Sequence, residues 1–328
     1  MFNYIVRRLV YGLVTLIALS IIVFSLLQMS GGGPLNRLRS NPRITQEYVQ
    51  SLEDFYGLDE PAWVQYRIWA TNYVQGEWGI SFQGTQPVFD IIKSRTGATL
   101  RLMLTALFLA VMIGVPFGIY QALRQYSFFD QLGTTVSFVT FSTPIFLIAI
   151  AMQILFAVYL ERWTGVKFLY TGGMNDPGYD ELGTLARFGD TIQHLMLPAI
   201  AIALISIAVY ARFQRASMLE VYHSDYLRTA KAKGLPRRRV IFKHALRNAL
   251  IPIVTLISLD IAALIGGAII TETIFSWPGL GRQYINAIGT LDYPMVMAIV
   301  MALGIGVVVM NLIADIAYGF LDPRVRYD

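Results

Sequence analysis

The residue types that carry most enzyme chemistry are sparse in this 328-residue chain. The absence of cysteine excludes a disulfide framework, a thiolate nucleophile and Cys-ligated zinc or iron–sulfur sites. The three histidines are too scattered to predict an imidazole metal site: His194, His223 and His244. Neither a P-loop (Gly-x-x-x-x-Gly-Lys-Ser/Thr) nor the Gly-x-Ser-x-Gly motif of hydrolases occurs. We therefore predict no catalytic residue, cofactor site, metal site or enzymatic activity in this chain.

Three acidic residues in or beside apolar stretches are the remaining candidates for chemistry. Asp260 lies inside one such stretch, where an ionisable group is costly and usually faces a cavity or a partner. A place in a substrate pathway and a structural hydrogen bond between helices are both open for it. Glu272, at the outer end of the same stretch, belongs either to an outer gate or to a water-exposed surface. Asp315, near the inner end of the last apolar stretch, favours structural pairing or solvent contact.

The composition around these residues is that of a membrane protein. Only 14% of residues are charged and 55% are hydrophobic, and the mean hydropathy is +0.53. A soluble domain carries about 25% charged residues. A helix needs about 20 apolar residues to cross the hydrocarbon core, and six segments meet that requirement. The predicted spans are Leu9–Met29, Leu102–Leu123, Leu132–Leu160, His194–Ala211, Ala249–Ile270 and Met295–Tyr318.

The first and second spans each contain a feature with two interpretations. Arg7 and Arg8 precede the first one, as in a signal peptide, but 21 uncharged residues exceed a signal-peptide core, so an uncleaved span is expected. In the second, Gly114 and Gly118 form a small-xxx-small face, which favours close helix packing over a binding site.

Positive charge predicts the orientation of the spans. If the N-terminus is inside, the inner segments carry 15 Lys and Arg, against eleven in the outer segments, which are about twice as long. Ten of the inner ones fall between Arg212 and Arg247. Both termini are therefore expected in the cytoplasm, and topology explains the net charge of +5.

Two outer segments are long. The segment that follows the first span begins Gly31-Gly32-Gly33-Pro34, contains a helical stretch over Thr45–Tyr56, and is rich in aromatic residues. Packing and interfacial anchoring are the simpler interpretation of these rings, and a docking surface for an extracytoplasmic partner is the alternative. The rings are Trp63, Tyr66, Trp69, Tyr73 and Trp78. The second outer segment, about 30 residues before His194, is expected to be irregular.

The inner segment Arg212–Asn248 contains a short helix with clear end signals. Ser224 is a good N-cap and Asp225 suits the positive end of the helix. Lys231 and Lys233 suit the negative end, Gly234 fits the position after the C-cap, and Pro236 blocks continuation. A helix of about nine residues is marginal in water, so a membrane surface or a protein partner must hold it.

The faces of this helix favour a protein partner. Tyr226, Ala230 and Lys233 line one side, with Leu227 and Lys231 beside them, which is not the broad apolar face of a membrane-surface helix. The small Ala230 at the centre is expected to let the helix enter a groove. A basic loop that merely enforces topology is the alternative, and a nucleic-acid patch at Arg237–Arg239 is disfavoured by its place between two spans.

These residues resemble a known family. Asp225-Tyr-Leu-Arg-Thr-Ala-Lys-Ala-Lys-Gly234, followed by His244-Ala-Leu-Arg-Asn-Ala-Leu-Ile-Pro252, resembles the cytoplasmic EAA loop of ABC-importer permeases. The form is that of the dipeptide/oligopeptide/nickel group, since Arg228-Thr229-Ala230 stands where the motif's name has Glu-Ala-Ala. Further resemblance lies in Tyr56-Gly-Leu-Asp59 with Gln65-Tyr66, Gly76-Glu-Trp-Gly-Ile-Ser81, the run Thr271–Gly281, and Asp322-Pro323-Arg324.

The resemblance implies an all-α permease fold and a set of partners. The partners would be a second, homologous permease subunit, two cytoplasmic ABC ATPases that bind ATP and Mg²⁺, and an extracytoplasmic substrate-binding protein. The chain itself would bind no cofactor and no nucleic acid, and would lie in a bacterial or archaeal inner membrane. The helix would contact an ATPase through Ser224, Asp225, Tyr226, Leu227, Arg228, Thr229, Ala230, Lys231 and Gly234.

The sequence therefore predicts a six-span, all-α importer subunit for dipeptides and oligopeptides. Nickel, glutathione or another small solute is the alternative within the family. A self-contained channel or ion-coupled transporter is the alternative from another class, and a membrane enzyme is disfavoured. The predicted domains are a first span in 1–30, an extracytoplasmic segment in 31–98, and a core of five spans in 99–328 with the coupling loop at 212–248.

Overall fold

In a computed structural model, all the long regular elements among the described residues are helices. The structure describes residues 2–29, 35, 39, 45–83 and 86–321. Gly31–Pro34 and the ending Asp322–Arg324 lie outside these residues. Among the described residues there is no strand, and a lone antiparallel bridge joins Ile80 to Pro87.

Twelve helices are named here in chain order. They are α1 (Phe2–Met29), α2 (Gln46–Tyr56), α3 (Ala62–Gln75), α4 (Val88–Leu123), α5 (Phe128–Ser142), α6 (Ile145–Thr164), α7 (Thr184–Tyr222), α8 (Asp225–Ala232), α9 (Arg237–Ala249), α10 (Ile251–Ile274), α11 (Leu280–Gly289) and α12 (Tyr293–Leu321). Two of them contain a π-helical turn, α6 at Gln153–Tyr159 and α9 at Val240–Ala245.

Five helices in the described residues are long and apolar enough to span a membrane, and six if α9 and the start of α10 form one span bent by 42°. The five are α1, α4, α6, α7 and α12. The upper number agrees with the six predicted spans. The helices themselves run further than predicted, because α4 begins at Val88 and α7 at Thr184. The irregular segment before His194 is correspondingly shorter, over 165–183.

The predicted third span, Leu132–Leu160, differs most from the structure. Two helices replace it, with a break at Thr143, whose backbone is extended (φ −92°, ψ 125°). Proline disfavours the helical conformation in the residue before it and lacks the N–H that a continuing helix needs, so Pro144 separates α5 from α6. Only α6 is by itself long and apolar enough to span.

The chain forms two compact units. The first combines Met1–Ala98 with Gly279–Val309. Its main core joins the start of α4, α11 and the start of α12 through Val88, Leu280 and Met295, and a smaller cluster lies around Val49 and Leu52 of α2. The helical stretch predicted over Thr45–Tyr56 is α2, which begins at Gln46 with Thr45 at the N-cap.

The second unit combines Thr99–Pro278 with Met310–Asp328, and α7 lies at its centre. Helix α7 packs against α5, α6 and α10. It also packs closely against α4, because a Cβ added at Gly114 would lie 3.0 Å from the carbonyl oxygen of Ile207, and one at Gly118 would lie 2.4 Å from that of Ala211. The prediction that these glycines serve helix packing is confirmed.

Candidate functional site

Helix α8 is a short helix with the ends that the sequence predicted. Its eight residues begin after Ser224, whose backbone is extended (φ −70°, ψ 150°) as an N-cap requires. At the other end Gly234 adopts φ +74°, and its N–H and that of Leu235 bond back to the carbonyls of Lys231 and Ala230. A left-handed glycine at this position is a common helix stop.

The side chain of Ser224 does not cap α8, which corrects the prediction. Its hydroxyl donates instead to the carbonyl oxygen of Val221, in the last turn of α7. The last carbonyls of a helix have no partner within the helix, so a hydroxyl three residues further on satisfies one of them. The Ser224 side chain therefore caps the C-terminal end of α7, while its backbone occupies the N-cap position of α8.

Helix α8 is held by the chain itself, so the expectation that a membrane surface or a protein partner must hold it is wrong. Leu227 is fully buried in a cluster with Met218, Val240 and Ile241. Burying a leucine side chain contributes about 1.5–3 kcal/mol, which stabilises a helix too short to form alone. The hydroxyl of Tyr226 accepts a hydrogen bond of 2.8 Å from the Asn248 side chain in α9.

The exposed face of α8 differs from the predicted one. Ala230 is half-buried against the Leu227 cluster, so it does not lie at the centre of the free surface. That surface carries Asp225, Arg228 and Thr229, and Arg228 pairs with Asp225 at 3.4 Å. A pair this exposed contributes little to stability. The charges are therefore available to a partner.

The cationic side of α8 and α9 is also exposed. The Lys231 ammonium lies 3.8 Å from the centre of the Tyr222 ring, which fixes its position by a cation–π contact. Lys233 and the run Arg237–Arg239 are exposed as well. The arrangement is a charged helix whose outer face is exposed and whose inner face is anchored in the unit.

Asp260 of α10 is hydrogen-bonded to α7. Its Oδ2 accepts from the Ser206 hydroxyl at 2.7 Å and from the Tyr210 hydroxyl at 2.9 Å. Of the two interpretations left open by the sequence, these contacts support the structural hydrogen bond between helices. Asp315 is half-buried and interacts with at least one other group through a hydrogen bond, an ion pair or another electrostatic contact.

Glu272 is fully buried, so the predicted contact with water is wrong. Its Oε1 accepts a hydrogen bond of 2.7 Å from the Thr99 hydroxyl of α4. The chain after it turns sharply, with Ser276 at φ +51° and the Trp277 N–H bonded to the Glu272 carbonyl at 2.9 Å. Trp277 is fully buried as well, so this stretch is a packed structural turn.

Two buried acids with long-range partners were missed by sequence reasoning. Asp130 forms a two-pronged ion pair with Arg215 of α7, with distances of 2.6 and 2.8 Å, and this hydrogen bonding lowers the pKa of Asp130. In the other unit, Asp292 accepts from the Ser81 hydroxyl and from the Met295 N–H, while burial raises its pKa. Their partners are 85 and 211 residues away in the sequence, so no local pattern indicates them.

The aromatic residues of the first outer segment mostly pack on one another. Tyr66, Trp69, Tyr73 and Trp78 form a series of ring contacts, the closest being Tyr73 stacked on Trp78 at 4.6 Å. Burial raises the pKa of Tyr73 to about 12. The packing interpretation therefore holds for these four rings, whereas Trp63 is exposed.

Comparison with known proteins identifies the class. Residues 114–327 match the family described as the inner membrane component of binding-protein-dependent transport systems, and residues 1–103 match the N-terminal region of such components. The chain belongs to this family and is an inner-membrane component.

Individual relatives resemble the chain over its whole length. It is 39% identical to the oligopeptide transport system permease protein AppB of Bacillus subtilis, over 99% of each chain. It is 37% identical to the dipeptide transport system permease protein DppB of Escherichia coli K12, over 100% of this chain and 99% of the relative. The di/tripeptide permease protein DppB of Pseudomonas aeruginosa is 38% identical.

A solved structure agrees in fold. A chain of the MetNI methionine ABC transporter, in an inward-facing conformation, matches with a TM-score of 0.55 over 73% of this chain and 100% of that chain. At 15% identity the match shows the fold alone.

Proposed function

We propose that this chain is the membrane subunit of an ATP-driven, binding-protein-dependent importer of short peptides, and that α8 is its contact with an ATPase subunit. The observation that carries the contact is the structure of α8. Its buried Leu227 fixes the helix to the unit, while Asp225, Arg228 and Thr229 face outward. Rigid attachment is what a helix needs to transmit movement from one protein to another.

The remaining partners are proposed from the family. A second permease subunit, two ATPases and an extracytoplasmic binding protein would complete the importer, with ATP and Mg²⁺ bound only by the ATPases. Short peptides are proposed as the substrate because the peptide-permease relatives match this chain from end to end. Nickel, glutathione or another small solute is the second candidate within the family.

The α8 contact is tested with Thr229→Trp, which adds bulk to the exposed face without touching the buried anchor. We expect a loss of at least about tenfold in co-purification of the ATPase subunits, and a matching loss of labelled dipeptide uptake. Asp180→Trp, at an exposed position in the 165–183 segment, is the matched control and should change neither. Membrane levels of both variants are measured by immunoblot.

Normal ATPase association and uptake by Thr229→Trp would refute the contact.

Uptake in membrane vesicles distinguishes an ATP-driven importer from an ion-coupled transporter. Uptake that needs internal ATP and survives an ionophore supports the importer, whereas uptake that the ionophore abolishes supports an ion-coupled transporter. Labelled nickel taken up in place of dipeptide would favour the second substrate.

A further inference from the structure

Three side chains that could bind a metal ion meet outside the site described above. Asp176 comes from the 165–183 segment, and Asp190 and His194 lie one turn apart in the first part of α7. One ligand atom from each lies within 4.8 Å of the other two. Asp190 and His194 are buried, and Asp176 is half-buried.

The hydrogen bonding of His194 leaves one ring nitrogen as an acceptor. Its Nδ1 lies 2.9 Å from the carbonyl oxygen of Asp190, which can only accept, so a neutral ring carries its proton on Nδ1. The Nε2 lone pair then faces Oδ1 of Asp176 at 3.7 Å. With the ring neutral, the Nε2 lone pair and the Asp176 carboxylate are two acceptors, so a metal ion between them would satisfy both.

The surroundings hold these groups in position. The imidazole stacks on the Tyr170 ring at 4.1 Å and 13°, which restricts rotation of the ring. The carboxylate of Asp190 accepts from the Asp176 N–H, and Tyr170 hydrogen-bonds to Asp176. Metal sites are commonly built in this way, with a second layer of contacts that orients the ligands.

A neighbouring residue adds a second observation. The side-chain oxygen of Asn175, next to Asp176 in the chain, is buried and has no hydrogen-bond partner. A buried amide oxygen without a partner is costly, so this atom can accept a hydrogen bond or a cation that reaches it.

We propose that Asp176, Asp190 and His194 bind a divalent transition-metal ion of the zinc type. One imidazole nitrogen with two carboxylate oxygens suits Zn²⁺, Co²⁺ or Ni²⁺ better than Mg²⁺ or Ca²⁺, which prefer oxygen alone. Ligands bound tetrahedrally at about 2.1 Å lie roughly 3.4 Å apart. The 3.7 Å between Nε2 and Asp176 Oδ1 is close to that spacing.

The ion would fasten the 165–183 segment to α7. That segment also reaches the end of α10, because the Gly173 N–H bonds to the Phe275 carbonyl at 3.0 Å. Gln153 of α6 further donates to the Thr171 carbonyl at 2.8 Å and to the Ile274 carbonyl at 3.1 Å. The metal therefore has a structural role, in which it holds one connection against three helices.

The test uses the full chain, purified in detergent without a polyhistidine tag and stripped with EDTA. Zn²⁺ is then titrated at pH 7.5 and followed by calorimetry, elemental analysis and thermal unfolding. We expect one Zn²⁺ per chain and a rise in Tm, because a ligand that binds only the folded state stabilises it. Mg²⁺ at the same concentration should give neither effect. Co²⁺ should give the visible absorption of a bound ion.

The variants Asp176→Asn, Asp190→Asn and His194→Gln should each weaken Zn²⁺ binding at least tenfold. His223→Gln and Asp180→Asn, both at exposed positions, are the matched controls and should bind as the unaltered chain does. If a buried variant fails to fold, Asp176→Asn decides alone, since its side chain is 39% exposed. Absence of Zn²⁺ binding at pH 7.5 overturns the proposal. Equal binding by Asp176→Asn also overturns it.

Discussion

Each buried or half-buried acid described above has a defined partner, and that partner determines what the acid does. Asp260 joins α10 to α7 through two hydroxyls, and Glu272 joins α10 to α4 through Thr99. Asp130 is paired with a guanidinium, whereas Asp292 accepts hydrogen bonds from a hydroxyl and from backbone N–H groups. Residues of one type therefore differ in pKa, because charge neutralisation favours the ionised form and burial disfavours it.

Asp292→Asn is expected to change the pH dependence of stability. Because burial raises its pKa, the folded chain holds the proton above the ordinary carboxyl pKa of about 3.9, where the unfolded chain has lost it. The free energy of unfolding then falls as pH rises through that window, by at most about 1.4 kcal/mol per pH unit for one proton. The variant lacks this slope. The Tm of the variant minus the Tm of the unaltered chain should therefore increase between pH 4 and pH 7 in detergent.

The control for this change is Asp225→Asn, whose side chain is 97% exposed. It should leave the pH profile of Tm unchanged. A profile for Asp292→Asn that runs parallel to that of the unaltered chain would show that Asp292 does not titrate differently in the folded state.

At the scale of elements, close approach and chain breaks determine how the helices are placed. Pro144 divides one apolar stretch into α5 and α6. Helix α4 contacts α7 at Gly114 and Gly118, where the missing side chains leave room for the backbone of α7. The first effect is local, because proline acts on its own peptide and the one before it. The second needs a partner helix, so only the pairing of α4 with α7 shows which glycines are required.

Gly118→Ala is expected to destabilise the chain by about 1–3 kcal/mol, the usual cost of overpacking. The added methyl group would lie 2.4 Å from the Ala211 carbonyl oxygen, so the two helices must move apart. Gly97→Ala is a matched control on the same helix, because its added methyl group meets nothing within 4 Å. Both changes favour the helix equally by propensity, so the difference in Tm reports packing alone. Equal Tm values would mean that this contact does not constrain α4.

For the whole molecule, the distribution of charge predicts how the chain lies in the membrane. The basic segment that contains α8 and α9 is expected inside, and the 165–183 segment outside. The two segments are therefore expected to face different compartments, with the proposed ATPase contact on the inner side.

The chain has no cysteine, so single-cysteine labelling tests this orientation directly. In intact spheroplasts, a membrane-impermeant maleimide should label Asp180→Cys and leave Lys233→Cys unlabelled. After permeabilisation both should react, since both positions are exposed. The unaltered chain provides the blank. Labelling of Lys233→Cys in intact spheroplasts would reverse the predicted topology.

Much of the fold was predictable because its signals are local. Apolar length indicated the spans, with α5 as the exception. Gly234 marked the end of α8, because its position in the left-handed region depends on a few neighbouring peptides. The side chain of Ser224 was predicted wrongly, since the end of α7 competes for it.

The sequence by itself determined the apolar spans and the position of the short charged helix, because these depend on composition or on neighbours within a few residues. The class of protein followed from motifs that resemble those of a known family. Tertiary structure decided which side of α8 is free, with Leu227 buried and Ala230 half-buried, and it brought Asp176 to His194. Helical periodicity shows which residues share a face but not what that face meets. Contacts between distant segments exist only once the helices pack.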